Sequence, residues 1–272
     1  MKAATYRIEP AQSARQAAAR LRDGGWGCKP VAGGQSLGAM LNLRLAQPDT
    51  LIDLDALAEL RAVAESAQAV AFGAMTTHAQ IEDRALPDPS RGLMPHVARG
   101  IAYRAVRNRG TLGGSLCHAD PAADWANAMP LLGATLVLQS AEGTRRVPAA
   151  QFMVSAFETL LAEGELLTRI EVPRRSPATR WAYRKYCRKT GEFANALAGC
   201  LLDAADGTER IVLGALDGAP HVVEQPGLIA ALRTDAARRE WLQAQALGLD
   251  AARSQLLDEM LRLALKDMEI AR

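Results

Sequence analysis

Two glycine turns of similar design constrain this chain more than any other feature. VAGGQSLG occupies positions 31–38 and GTLGGSLC positions 110–117. Each places paired glycines ahead of a small polar residue and a leucine. Glycine lacks a Cβ, so it tolerates positive φ and lets a ligand come close to the backbone. Amides exposed in such a turn bind phosphate oxygens, often beside the start of a helix. One phosphate needs one such cradle, whereas a pyrophosphate lying between two turns uses both. A dinucleotide is therefore the expected ligand. The commoner nucleotide signatures are missing: no G-x-G-x-x-G follows a strand, and there is no G-K-[ST].

The first turn also reads Gly34-Gln35-Ser36-Leu37-Gly38, which fits the G-x-S-x-G elbow of a serine hydrolase. In that fold the nucleophile follows several core strands, and an acid and then a histidine come later. Here only one expected strand precedes Ser36. Of the histidines at 78, 96, 118 and 221, only His221 stands late enough. A hydrolase using Ser36 is carried forward as an alternative.

The pattern of elements surrounds the turns with mixed structure. Ser13 to Asp23 reads as a helix with Ala17, Ala18 and Leu21 on one face, stopped by Gly24-Gly25. Lys29 to Ala32 is a short strand. Ser36 caps an expected helix from Leu37 to Leu45, which ends before Pro48. Thr50 to Leu54 returns as a strand. Strands are expected at 61–65 and 68–73, and helices at 77–84 and 93–101. Pro121 opens an expected helix running through Trp125 and Met129. Strands follow at 134–139 and 165–172. RRSPATR is the best candidate boundary. Beyond it, 181–189, 194–202 and 209–216 suggest antiparallel strands, and from about residue 228 the chain reads as helical.

Composition narrows the function. The 272 residues suffice for one large domain or two to three small ones. A net charge of +2 provides no basic stripe for nucleic acid. No apolar run has the length of a signal peptide or a membrane span, so the cytoplasm is the expected compartment. Cysteines 28, 117, 187 and 200 form no C-x-x-C pair and read as reduced thiols. No metal ligand set is expected, and His118 and Asp120 are read as hydrogen-bonding groups.

AGGQSL at 32–37 resembles the AGG(H/Q)SL turn of the flavin-binding medium subunits of molybdenum hydroxylases. RNRGTLGGSLCHADPAAD at 107–124 is similar to their second glycine segment with its trailing aspartate. The family includes the medium subunit of aerobic carbon monoxide dehydrogenase and the FAD domain of xanthine dehydrogenases. The likeness continues through LNLRLAQPDTLIDL, VPAAQFMV, GELLTRIEVP and YRKYCRKTGEFANA and thins after about residue 225.

The resemblance implies an α+β chain with the FAD-binding fold of the vanillyl-alcohol-oxidase type. It would comprise a domain over 1–175, with subdomains of about 1–55 and 56–175. A C-terminal α/β domain with an antiparallel sheet would span 176–272. It also implies roles. Ala32, Gly33, Gly34, Gln35, Ser36 and Leu37 would embrace FAD from one side, and Thr111, Leu112, Gly113, Gly114 and Ser115 would meet its pyrophosphate from the other. Asp124 matches an aspartate that contacts the ribityl or ring region, and Lys185 a basic residue near the isoalloxazine. Phe193 and Leu167 would pack on the ring. The molybdopterin cofactor and [2Fe-2S] clusters would sit on a large and a small partner subunit, in a dimer of heterotrimers.

The implied function is electron transfer from partner [2Fe-2S] clusters through FAD to an external acceptor. The chain would then need no catalytic acid–base pair of its own. A non-catalytic nucleotide-binding assembly subunit is the other alternative. Gln35 stands where some relatives have His, and PAAQFMV lacks their Phe-Phe pair. No cysteine cluster between 100 and 140 supports an extra iron–sulfur cluster.

Overall fold

The computed structural model describes residues 2–270. Its first unit is a parallel three-stranded sheet. β1 (Arg7–Pro10) leads to helix α1 (Ala14–Gly24), β2 (Cys28–Val31), α2 (Leu37–Asn42) and β3 (Thr50–Asp53). The strand order is β1-β3-β2, so β3 is central. Pro30 lacks an N–H, and it is tolerated because β2 is an edge strand. Ser13 caps α1 by accepting the Gln16 N–H. Ala14, Ala17, Ala18 and Leu21 form its buried stripe. That stripe meets Ile52, Leu54, Leu57 and Leu60, while Leu51, the alternate residue of β3, packs with Leu41 on the α2 side. The expected helix 37–45 is shorter than read, because Arg44 takes positive φ.

The second unit is a five-stranded sheet. β4 (Val63–Glu65) and β5 (Ala69–Gly73) are followed by α3 (His78–Glu82), α4 (Leu93–Arg99), α5 (Arg104–Arg107), α6 (Leu112–His118) and α7 (Asp124–Leu132). The chain continues with β6 (Thr135–Gln139), β7 (Thr144–Pro148), α8 (Ala149–Phe152), the hairpin β8 (Met153–Ser155) and β9 (Glu158–Thr159), and β10 (Leu166–Pro173). The sheet runs β4-β5-β10-β6-β7, and β10 is antiparallel to both neighbours. A bulge between Leu167 and Arg169 interrupts the β10 ladder. Such bulges re-aim side chains.

Helix α7 is buried on every side. Its last two carbonyls are taken by guanidinium groups, Arg210 on Leu131 and Arg175 on Leu132, and Gly133 closes it in the left-handed region. The expected start at Pro121 is corrected by three residues. The Asp120 carboxylate accepts the Ala122 N–H, and Asn127 Nδ2 donates to the Pro121 carbonyl. Those bonds hold 120–123 in a turn that competes with the helix.

The third unit is an antiparallel meander: β11 (Thr179–Tyr186), β12 (Ala196–Asp203), β13 (Thr208–Gly214) and β14 (His221–Glu224). Short α9 (Leu228–Ala231), α10 (Asp235–Ala244) and α11 (Ala251–Ile270) follow. The expected helical stretch also included 271 and 272, which lie outside the described residues. Leu257, Met260, Leu261, Ala264, Leu265 and Met268 form the buried stripe of α11. They pack with Ala182, Ala198 and Cys200. The opposite face of the meander, through Tyr183, Leu197 and Leu201, joins the core of the second unit. No helix among the described residues is long and apolar enough to cross a membrane.

Candidate cofactor site

The first glycine turn meets the second glycine segment, which is the capped first turn of α6 rather than the open turn expected. Gly33 lies so close to the second segment that a Cβ on it would stand 2.0 Å from the Arg109 carbonyl oxygen and 3.0 Å from Gly110 Cα. A Cβ on Gly114 would come within 3.6 Å of Ala32 Cβ. At Gly33 only a residue without a side chain permits that approach. Gly34 adds a positive φ of 70°, which turns the chain toward α2.

Their amides differ. None of the N–H groups from Gly33 through Leu37 has an acceptor among the described residues. The Gln35 side chain folds back to donate to the Gly33 carbonyl, bracing the loop from outside. In the second segment the N–H groups of Leu112 through Ser115 are used, while that of Thr111 has no acceptor among the described residues. Leu112 donates to Thr76 O, Gly113 to Ala74 O and Ser115 to Thr111 O. Gly114 donates to the Thr111 hydroxyl, which caps α6. The Ser115 hydroxyl has no partner among the described residues. Thus the first turn offers most of the free donors, and the second is a platform tied to the main sheet through Thr76 and Ala74. Ala74 N–H in turn donates to Thr168 O at the β10 bulge. A phosphate group fits this arrangement, because unpaired N–H groups in a Cβ-free turn want an anionic acceptor.

Asp124 begins α7 and is 8% exposed. Lys185 reaches it from β11, with Nζ 2.7 Å from Oδ2, and also donates to the Gly100 carbonyl at 2.9 Å. The buried Tyr183 hydroxyl lies 3.2 Å from the Asp124 carbonyl oxygen and 3.3 Å from Oδ1. Burial pushes the Asp124 carboxyl up, and the Lys185 ammonium pulls against that shift. Burial likewise raises the Tyr183 phenol well above its usual range. The result is an ion pair at the start of α7 whose lysine also bonds a backbone carbonyl.

A second buried contact supports the platform. Trp125 Nε1 donates to His78 Nδ1 at 3.0 Å, which fixes the neutral tautomer with its proton on Nε2. Burial, with the charge of Arg107 added, lowers the His78 pKa to about 4. The ring edge fits against Gly110, where a Cβ would lie 2.8 Å from Nε2.

Leu167 is buried beside the β10 bulge, and α6 lies against that strand. Phe193 stands at the surface. It is 59% exposed on the β11–β12 loop. There it lines a hollow of about 410 Å³ with Arg188, Lys189, Glu192 and Asn195, and none of the other expected site residues shares that lining.

The serine-hydrolase alternative is corrected by geometry. Ser36 has φ −95° and ψ −51°, an unstrained conformation, whereas a nucleophile elbow is strained. Its hydroxyl hydrogen-bonds to no histidine among the described residues, and it does not cap α2 as expected. His78, Tyr183 and Arg109 are site residues that the sequence reading missed. The Trp125–His78 bond spans 47 positions, which no local pattern reveals.

Residues 4–175 match the family model described as the FAD binding domain in molybdopterin dehydrogenase. The medium chain of carbon monoxide dehydrogenase from Hydrogenophaga pseudoflava is 35% identical over 236 residues, covering 86% of this chain and 82% of that one. The medium chain of glyceraldehyde dehydrogenase from Sulfolobus acidocaldarius is 39% identical over 181 residues, covering 66% of this chain and 64% of its relative. A solved structure of the Hydrogenophaga carbon monoxide dehydrogenase, lacking the Mo-pyranopterin moiety, superposes with a TM-score of 0.86 at 32% identity, covering 99% of each chain. With its two glycine turns in contact and its first turn's amides free, the chain belongs to the FAD-binding family of molybdopterin dehydrogenases, as the medium, flavin-carrying subunit of a molybdenum hydroxylase.

Proposed function

We propose that this subunit holds the FAD pyrophosphate between Ala32–Leu37 and Thr111–Ser115. The observation that carries this reading is the contact of Gly33 with Arg109 beneath five unpaired N–H groups. Those N–H groups donate to phosphate oxygens, and the Ser115 hydroxyl completes the cradle from the platform side. Leu112, Gly113 and Gly114 act through shape rather than through free amides, and Thr111 adds one more free N–H. Asp124 and Lys185 would serve the ribityl and ring region, and Leu167 and Phe193 would pack on the ring. Lys185 supplies fixed positive charge where the reduced cofactor carries negative charge. FAD held there would supply the redox link between partner [2Fe-2S] clusters and an external acceptor.

The same reading assigns the chain to a complex with a large molybdopterin-binding subunit and a small [2Fe-2S] subunit, as a dimer of heterotrimers in the cytoplasm. Four free cysteines suit a reducing compartment. It also assigns the vanillyl-alcohol-oxidase type of architecture, with units 1–55, 56–175 and 176–272. Each of the three carries its own sheet, which supports that division. Relatives named for carbon monoxide and for glyceraldehyde share this subunit type, which argues that substrate choice lies with the large subunit. Flavin content of the purified complex carrying Gly114→Val tests the site. Loss of FAD supports the pyrophosphate assignment, and full occupancy overturns it.

A further inference from the structure

β11 presents alternate residues to one face, so Trp181, Tyr183 and Lys185 all look toward the helices of the second unit. Trp181 Nε1 donates to the Arg91 carbonyl, and Lys185 reaches Gly100 and Asp124. Tyr183 lies between them and is 6% exposed. Its ring sits over Gly199, its partner across the β11–β12 ladder. A Cβ on Gly199 would stand 3.3 Å from Tyr183 Cδ2 and 2.7 Å from Leu131 Cδ2. The sheet therefore contains a seat shaped for this aromatic ring. A phenylalanine would fill the seat equally well, so the hydroxyl has a separate task. Its acceptors are both on Asp124.

The chemistry of the cluster defines that task. Asp124 has two carboxylate oxygens: Lys185 holds Oδ2 and Tyr183 approaches Oδ1. Lys185 has three N–H groups, of which Asp124 and Gly100 take two. The third has no acceptor among the described residues. We propose that Tyr183 is a positioning residue for the flavin site: by donating to Asp124 it limits the carboxylate's hold on Lys185, and so sets how much of the lysine's charge reaches the cofactor. This rests on the flavin reading above. Without the phenol, the buried carboxylate loses a donor, and more of its negative charge offsets the ammonium that already stands 2.7 Å away. The positive potential at the cofactor then falls, and the reduced form is less stabilised.

The test uses the intact complex with Tyr183→Phe, which keeps the ring and removes one oxygen. FAD per chain and the flavin midpoint potential, from equilibrium reduction against a reference dye, are measured together. The expected result is unchanged FAD content with a roughly tenfold fall in the reduction equilibrium constant, about 30 mV lower for a two-electron couple. Adding Tyr183→Phe to an Asp124→Asn complex should shift the potential no further, because the route runs through that carboxylate. Where Asp124→Asn does not retain flavin, Lys185→Gln provides the second background with the same expectation. An unchanged potential, an equal shift in both backgrounds, or loss of FAD from Tyr183→Phe overturns the proposal while leaving the flavin reading standing. Absence of FAD from the unsubstituted complex overturns both.

Discussion

Gly33 and the Arg109 carbonyl are in contact across two segments that the sequence keeps far apart, with space for no side chain between them. That contact turns two ordinary glycine turns into one site. Replacing Gly33 with alanine forces a Cβ to within 2.0 Å of a backbone oxygen, and the Arg109 side is held because the Gly110 carbonyl accepts the His78 N–H. We expect Gly33→Ala to lower stability by about 1–3 kcal/mol, the usual cost of overpacking. It should also reduce FAD retention more than stability alone explains. Thermal unfolding with and without added FAD measures both effects.

Removing the Lys185 ammonium leaves Asp124 as a buried carboxylate without a cation. Lys185→Met should cost about 3–5 kcal/mol, the range found when one partner of a buried pair is deleted. The sign with pH follows from Asp124. Burial already raises its carboxyl above the unfolded value, so the folded state favours the protonated form. That contribution is fully present below the unfolded pKa and is lost as pH rises through the folded pKa. The deficit of Lys185→Met against the unsubstituted protein should therefore narrow toward acid pH. Denaturant melts across a pH series read it directly.

His78 gives the opposite slope. Its folded pKa is about 4 against 6.5 unfolded, so the unfolded chain binds more protons between those values. The stability it contributes is present above pH 6.5 and is lost as pH falls toward 4, at most about 3 kcal/mol. His78→Gln keeps an acceptor for Trp125 Nε1 but does not titrate. Its stability should vary less steeply over that window than that of the unsubstituted protein. Identical slopes would count against the buried neutral imidazole.

Gly214 connects the C-terminal sheet to the site. A Cβ there would lie 1.9 Å from Asn127 Oδ1, and Asn127 Nδ2 holds the Pro121 and Ala123 carbonyls just ahead of Asp124. Gly214→Ala should cost about 1–3 kcal/mol through overpacking. It should also weaken flavin binding from the far side of the helix. Calorimetric FAD binding to the variant complex tests that reach.

The legible part of this fold was whatever a local period writes. The alanine face of α1 and the three strands of the β11–β13 meander could be read directly, within a few residues at their ends. β1 could not, because RIEP is four residues long and ends in proline. α6 was hidden by its glycines, which disfavour helix on their own. The Thr111 cap and the packing of Gly113 against Ala74 override that preference. In the site, the two turns were visible as repeated motifs. Tyr183 and His78 were not, since their bonds to Asp124 and Trp125 join residues 59 and 47 positions apart. Pro121 misled because the Asp120 turn and the Asn127 side chain claim the backbone that a helix would need.

The most direct measurement is the FAD content of this subunit in its purified complex, taken from the visible spectrum and from the cofactor released on denaturation. The structure predicts about one FAD per chain alongside iron–sulfur absorbance, with flavin lost in Gly33→Ala and kept in Ser36→Ala at weaker affinity. A complex that contains iron–sulfur clusters but takes up no flavin, even from added FAD, would contradict the assignment of the glycine turns.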